Sequence, residues 1–224
     1  MRIGKKRVRV PVLVTLGVCR DGQRVILDLR LAGVESERAW LDTVHSLAAR
    51  NPGAPVLAAI DGNPGLAAAL EAQWPKLAIQ RCTNHKLWNL LAKAPAHRRE
   101  ELAEDYRRMI YAESRAAVEQ ARVGFLRKWR LRCKAVSASF AEAGEDLFTS
   151  TAFPISQWKA LRTTNALERI NEEFRRRTKT QASLPNEEAV LLLLFGLLRP
   201  GQVKLRRLAG WHELTTISQH PEAA

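Results

Sequence analysis

The first 95 residues alternate between short apolar runs and stretches with helical spacing. Valine-rich, partly alternating residues over 6–18 and 24–33 predict two strands, and Asp21-Gly22 between them is typical of a hairpin turn. The pattern then predicts a helix, a buried strand, a helix, a strand and a helix, at 36–50, 56–60, 63–73, 77–82 and from 84 onward. This β-β-α-β-α-β-α order indicates a mixed α/β fold in layers.

After residue 95 the strand signals stop and helical periodicity takes over. We interpret 1–95 as the α/β part, 96–155 as an all-helical insertion, 156–210 as helices that complete the domain, and 211–224 as a tail. The apolar run at 189–198 is roughly half as long as a bilayer span, so we interpret it as a buried helix.

The charge balance is strongly basic. Lys and Arg number 36 against 23 Asp and Glu, which gives a net charge of +13. Such an excess predicts a polyanionic partner, with nucleic acid favoured over an anionic membrane surface; the alternative is a solvated basic surface. Three scattered cysteines and the lack of a secretory signal at the N-terminus predict a soluble intracellular protein.

Asp61 is the first candidate for chemistry. It follows the predicted strand 56–60 in "AIDGNPG", and open α/β sheets place ligand groups at the carboxyl ends of their strands. Gly62 and Gly65 would allow a partner to approach the backbone closely. An aspartate at this position also caps a following helix in many proteins, and spacing alone leaves both interpretations open.

Glu168 is the second candidate. It stands three residues after Asn165, the predicted N-cap of a basic helix, which fits a capping box without any further role. The helical wheel places Glu168 with Glu172, Arg175 and Lys179 on one face, away from the apolar stripe. A carboxylate among phosphate-binding side chains makes sense if a divalent metal ion lies between them.

Cys82 and His85 form a single C-x-x-H pair. Zinc needs two further ligands, and Cys133, His97 and His212 have no spacing that would supply them. We therefore favour a structural pair at a strand-to-helix junction.

The chain resembles the catalytic domain of Mutator-type transposases of bacterial insertion sequences. The segments that carry the resemblance are "AIDGNPGLAAALEAQWPKLAIQRCTNHKLWNLL", "TTNALERINEEFRRRTK" and "PNEEAVLLLL". They contain D-x-x-x-G from Asp61, the Trp74-Pro75 pair, Q-x-C-x-x-H from Gln80 and T-T-N-x-x-E from Thr163. The resemblance extends over nearly the whole chain, to about residue 211.

The resemblance implies a ribonuclease H-like mixed sheet with a helical insertion, and an Asp-Asp-Glu set that cuts and joins DNA. Asp61 matches the second aspartate and Glu168 the glutamate, so both are expected to be catalytic and to bind metal. Cys82 and His85 match a pair that supports the site. The implied cofactor is Mg²⁺ or Mn²⁺, as two ions about 4 Å apart.

The resemblance also implies DNA as the partner, both insertion-sequence ends and target. Phosphate contacts are expected from the two ends of the basic helix, namely Thr163, Thr164, Asn165, Arg175, Arg176, Arg177 and Lys179. We expect a homo-oligomer on DNA, no membrane partner, and a cytoplasmic, nucleoid-associated location in a bacterium.

The sequence departs from the family pattern at its start. The family's first aspartate precedes the stretch "RIGKKRVRVPVLV", and Met1 stands just after that position; Asp21 and Asp28 lie in the wrong context to replace it. We therefore expect the first, central strand to be largely missing, the hairpin over 6–32 to lie beside a shortened strand next to 56–60, and catalysis to be impaired. The alternatives are a non-catalytic DNA-binding remnant and a ribonuclease H-like nuclease or junction resolvase.

Overall fold

A computed structural model of the chain describes residues 2–3, 6–7, 11–32, 37–50, 53–180, 184–198 and 205–214. The described residues fall into two compact units. The hairpin unit lies within Met1–Pro55, Pro64–Lys76 and Asn165–Gln219, and the helical unit comprises Val56–Asn63 and Leu77–Thr164.

The elements of residues 11–95 follow the predicted order, and a short strand pair that was not predicted precedes them. The strands are β1 Arg2–Ile3, β2 Lys6–Arg7, β3 Val12–Val18, β4 Arg24–Leu31, β5 Leu57–Ile60 and β6 Ala78–Arg81. The α-helices are α1 Glu37–Ala49, α2 Pro64–Gln73, α3 Thr83–Lys93, α4 Arg99–Ile110, α5 Arg115–Arg132, α6 Lys134–Glu142, α7 Ile155–Leu161, α8 Asn165–Thr180 and α9 Glu187–Leu198. Short 3₁₀ turns are formed by Ala96–Arg98, Glu145–Leu147, Thr149–Ala152 and Trp211–Glu213. No strand lies between residues 96 and 155, all of which are described, and this agrees with the predicted helical character.

The strands form pairs. β1 pairs with β2 and β3 with β4 in antiparallel fashion, while β5 and β6 run parallel. The mixed α/β class is thus confirmed, but the hydrogen bonds of the described residues give two-stranded sheets and no single mixed sheet. The hairpin of β3 and β4 closes through a short turn, so the pairing of its strands costs little chain entropy. Each strand finds backbone hydrogen-bond partners in the strand next to it in sequence.

The predicted hairpin is confirmed, with Val12 opposite Leu31 and Val18 opposite Arg24. The described residues 205–214 pack against its turn. Leu208 N donates to the carbonyl of Gly22 at 2.9 Å, and Arg24 Nη1 donates to the carbonyl of Arg206 at 2.9 Å. The segment after α9 is therefore held on the hairpin.

We predict that Gly22→Ala destabilises the hairpin unit. Gly22 has φ +78°, and a Cβ there would lie only 2.3 Å from the Cβ of Trp211. Gly53→Ala is the matched control, because Gly53 has φ +86° but no atom of the described residues lies within 4 Å of a Cβ there. Urea denaturation should show a loss of about 2–3 kcal/mol for Gly22→Ala and about 1 kcal/mol for Gly53→Ala. Equal losses would contradict the packing of Trp211 on the turn.

The core of the hairpin unit lies between α8, α9 and the hairpin. Ile170 and Phe174 of α8 are buried, as the predicted apolar stripe required, and they cluster with Val190 and Leu194 of α9. Apolar side chains of β3 and β4 pack against the same cluster.

The prediction that α9 is a buried helix is wrong for one of its faces. Leu192 is 76% exposed and Phe195 is 59% exposed. The uniformly apolar run gives no periodicity from which an outer face could be predicted. No helix in the part of the chain that the structure describes is long and apolar enough to cross a membrane.

The helical unit packs its helices around Trp129, which is fully buried together with Leu102 and Met109. Gln80, also fully buried, joins β6 to the 3₁₀ turns that follow α6. Its Nε2 donates to the carbonyl of Leu147 at 2.8 Å, and its Oε1 accepts from Ser150 N at 2.6 Å. These bonds satisfy a buried polar side chain and fix the insertion to the parallel strands.

Candidate active site

Asp61 directly follows β5 and is exposed. Its Oδ1 accepts a hydrogen bond from the backbone N–H of Asn63 at 3.0 Å. This bond orients the carboxylate within the turn before α2; it is a turn bond to a residue outside the helix and not a cap, because α2 begins at Pro64. Among the described residues, the second carboxylate oxygen has no hydrogen-bond partner, so it is available to a ligand.

Gly62 brings a basic side chain next to this turn. Gly62 has φ +97°, and a Cβ on it would lie 2.7 Å from Nη2 of Arg81. Arg81 ends β6, where it is the register partner of Ile60. The guanidinium of Arg81 therefore lies against the residue that follows Asp61.

Arg81 belongs to an ion-pair cluster with Lys86 and Glu142. Arg81 Nη1 donates to Glu142 Oε1 at 2.7 Å, and Lys86 Nζ donates to Glu142 Oε2 at 2.7 Å. The Lys86 side chain is 2% exposed and that of Arg81 13%, whereas the Glu142 side chain is 62% exposed. Burial lowers the pKa of Lys86, and the Glu142 carboxylate opposes that shift. Hydrogen bonds from Arg81 and then Lys86 lower the pKa of Glu142 to about 2.

This cluster predicts a pH dependence of stability. The pKa of Glu142 is lower in the folded protein than its ordinary value of about 4.3. The ionised carboxylate therefore makes its full contribution to the free energy of unfolding at pH values above about 4.3. This contribution should decline as the pH falls and be lost near pH 2. In chemical denaturation between pH 7 and pH 2, wild type should have a higher free energy of unfolding than Glu142→Gln. This difference should shrink below about pH 4.3. A difference independent of pH would contradict the ion pairs.

Cys82 lies at the junction of β6 and α3 and is 1% exposed. Its Sγ accepts from the backbone N of Thr164 at 3.4 Å and from the hydroxyl of Thr164 at 3.3 Å. The same hydroxyl lies 3.4 Å from Nδ1 of His85. These contacts hold Thr164, the residue that immediately precedes α8. The supporting role of Cys82 and His85 remains a prediction.

The predicted phosphate ligands before α8 differ in exposure. Thr163 is half-buried, Thr164 is buried, and Asn165 is exposed. Both hydrogen-bond donors of Thr164, its backbone N–H and its hydroxyl, already donate to Cys82 Sγ. Phosphate binding by the three remains a prediction.

The basic end of α8 is largely exposed. Arg175 and Lys179 are exposed, Arg177 is half-buried, and the exposed Arg176 donates to Glu173 through Nη2 at 2.7 Å. The ion pair between Arg176 and Glu173 is exposed to solvent and therefore weak, so a phosphate can replace the Glu173 carboxylate as the partner of Arg176. Phosphate binding by the four basic residues likewise remains a prediction.

Glu168 is half-buried in the first turn of α8. The helix begins at Asn165 itself, the residue that was predicted to cap it from outside. Glu168 belongs to the hairpin unit and Asp61 to the helical unit. The approach of the two carboxylates therefore stays a prediction.

Sequence reasoning missed the cluster of Arg81, Lys86 and Glu142. Arg81 and Lys86 stand inside the quoted motif "QRCTNHK", but Glu142 lies 61 residues after Arg81 in an alanine-rich helix. No local pattern marks a glutamate as the partner of such distant cations.

The family model for the Mutator family of transposases matches residues 1–203. The chain belongs to this family. A transposase for insertion sequence element ISRM5 from Rhizobium meliloti is 33% identical over 186 residues, which is 83% of this chain and 47% of the relative. A transposase for IS406 from Burkholderia multivorans is 33% identical over 202 residues, 88% of this chain and 51% of the relative. One for IS905 from Lactococcus lactis is 29% identical over 177 residues, 79% of this chain and 45% of the relative.

This Mutator-family chain thus spans about half the length of these relatives. Membership confirms the resemblance that the motifs around Asp61 and Glu168 indicated.

Proposed function

We propose that this chain supplies the catalytic part of a transposase that cuts DNA at the ends of an insertion sequence and joins it to a target. The observation that carries the proposal is the exposed carboxylate of Asp61 at the carboxyl end of β5, within the matched region. Asp61 and Glu168 are the proposed catalytic and metal-binding residues.

The donor chemistry at Asp61 fits Mg²⁺ or Mn²⁺. Magnesium prefers hard oxygen ligands and retains several waters, so one or two carboxylates together with DNA phosphates are enough to hold it. Asp61 offers an exposed carboxylate with one oxygen that has no hydrogen-bond partner among the described residues. When bound, the metal activates the attacking hydroxyl and stabilises charge on the leaving oxygen.

The proposed reaction is a phosphodiester transfer. The oxygen of water or of a DNA 3′-hydroxyl forms a new bond to phosphorus, and the bond from phosphorus to the 3′-oxygen of the cut strand breaks. The attacking group gives its proton to solvent, and the displaced oxygen takes up a proton from solvent and leaves as a 3′-hydroxyl. The N–H of Asn63 orients the Asp61 carboxylate through Oδ1. Exposed basic residues of α8, including Arg175 and Lys179, would bind the backbone phosphates.

We also propose a ribonuclease H-like arrangement for the α/β part. The parallel pairing of β5 with β6, the helix α2 that follows β5 in the sequence and the acidic residue at the end of β5 support it. The proposed partners are insertion-sequence ends, target DNA and further copies of the chain on that DNA. The net charge of +13 favours binding that weakens as salt rises.

The test is a joining assay with the purified protein that carries this sequence and labelled DNA from both flanks of its gene. Joined products should form with Mg²⁺ or Mn²⁺, at the reduced rate expected from the departure from the family pattern, and should be absent with EDTA or with Ca²⁺ alone. Metal-independent cleavage, or products that need no flanking DNA, would overturn the proposal. Specific DNA binding without joining under any metal condition would instead support a non-catalytic DNA-binding protein.

A further inference from the structure

We propose that Arg81 and Lys86 form a binding site for a DNA phosphodiester beside Asp61. In the absence of DNA, the carboxylate of Glu142 occupies this site, and the DNA phosphate displaces it on binding. This inference rests on the proposed function in one respect, namely that the phosphate comes from DNA. It assigns a ligand to Arg81 and Lys86 and a competing role to Glu142, none of which the proposed reaction otherwise uses.

The geometry of the cluster is that of an anion site. Two cations converge on one carboxylate, and each donates to a different oxygen at 2.7 Å. Arg81 Nη1 also lies 3.4 Å from the backbone carbonyl of Glu142. The two non-bridging oxygens of a phosphodiester can accept from the same two donors, since charge-assisted bonds from Arg and Lys suit carboxylate and phosphate alike.

The two cations of this cluster are buried, whereas its carboxylate is exposed to solvent. Lys86 and Arg81 are 2% and 13% exposed, so they are built into the helical unit, whereas Glu142 is 62% exposed. A buried ammonium needs an anion, because leaving it without a partner is strongly unfavourable. That anion stands on the solvent side of the cluster, where a phosphate can replace it without opening the core.

The chain around Glu142 permits the replacement. Glu142 is the last residue of α6, and Gly144 follows in a backbone conformation of φ 60° and ψ −151°. The carboxylate can therefore swing away without breaking a helical turn on its C-terminal side. The proposed phosphate site lies close to the proposed metal ligand Asp61, because Nη2 of Arg81 lies against Gly62, the residue that follows Asp61.

The first experiment uses inorganic phosphate as the probe. We would follow thermal unfolding of wild type, Glu142→Gln and the control Glu104→Gln during a phosphate titration, with chloride keeping the ionic strength constant. Glu104 is exposed on α4 of the same unit, so its variant makes the same change in charge away from the cluster.

Glu142→Gln should lose thermal stability and regain it in a saturable way with phosphate, with an affinity about tenfold higher than that of wild type. Adding Arg81→Gln should remove the rescue. A variant that folds only in phosphate would support the site in the same way. Equal phosphate effects on all three proteins, or a Glu142→Gln protein that phosphate fails to restore, would overturn it.

The second experiment measures binding of a short DNA duplex by fluorescence anisotropy at fixed salt. Glu142→Gln should bind about fivefold more tightly than Glu104→Gln, because the internal competitor is gone while the change in net charge is the same. Equal affinities would show that the cluster is only an internal ion pair. Neither readout involves strand joining, so failure here and failure of the proposed transposase reaction are distinguishable.

Discussion

Replacing Asp61 by asparagine is expected to lower the rate of Mg²⁺-dependent DNA joining by about a thousandfold or more, because a neutral amide cannot replace a carboxylate that holds metal. Asparagine keeps an oxygen that can accept the 3.0 Å bond from Asn63 N, so the turn should be preserved. DNA affinity should change by about twofold at most, since phosphate contacts dominate binding. Joining assays and anisotropy on the same preparations would measure both quantities.

Asp42→Asn is the matched control for this prediction. Asp42 is exposed on α1, so its variant makes the same chemical change at a surface position outside the turn after β5. The control should join DNA at the wild-type rate. Undiminished joining by Asp61→Asn would remove the main support for the proposed function.

Replacing Trp129 by alanine is expected to reduce the free energy of unfolding of the helical unit by about 3–5 kcal/mol. Trp129 is 0% exposed, and its ring lies against Phe125 with centroids 6.1 Å apart. Its indole Nε1 donates to Asp105 Oδ2 at 3.1 Å. The substitution therefore leaves a large cavity and removes one of the donors to Asp105, which also pairs with Lys128.

Trp88→Ala is the control, because Trp88 is a tryptophan of the same unit with 52% of its surface exposed. Its loss should cost about 1 kcal/mol or less in urea denaturation followed by circular dichroism. Similar losses for the two variants would contradict the placement of Trp129 at the centre of the core.

Local periodicity explains which parts of the fold could be predicted. The hairpin of β3 and β4, the strand before Asp61 and the apolar stripe of α8 all depend on residues close in sequence. The turn signal Asp21-Gly22 and the i,i+4 spacing of Ile170 and Phe174 were enough to predict them. The same holds for the switch to helices after residue 95.

Long-range packing explains what could not be predicted. The exposure of Leu192 and Phe195 depends on which side of an all-apolar helix meets the core. The docking of 205–214 on Gly22 joins segments about 190 residues apart, and no pattern in either segment indicates the other. The pairing of strands into separate two-stranded sheets likewise depends on tertiary contacts.

The candidate site divides in the same way. Asp61 and Glu168 could be proposed from motifs because their family context is local in sequence. The cluster of Arg81, Lys86 and Glu142 could not, since its carboxylate comes from the end of α6 and its cations from the start of α3 and the end of β6. Only the fold shows that these charges meet next to the turn after Asp61.

A crystal structure of the protein with Mn²⁺ and a short DNA duplex, with anomalous scattering used to locate the metal, tests the central claim most directly. We predict Mn²⁺ bound by carboxylate oxygens of both Asp61 and Glu168, at about 2.0–2.2 Å from each or through a pair of ions about 4 Å apart. Mn²⁺ bound to one of these residues while the other lies more than about 10 Å away would contradict it.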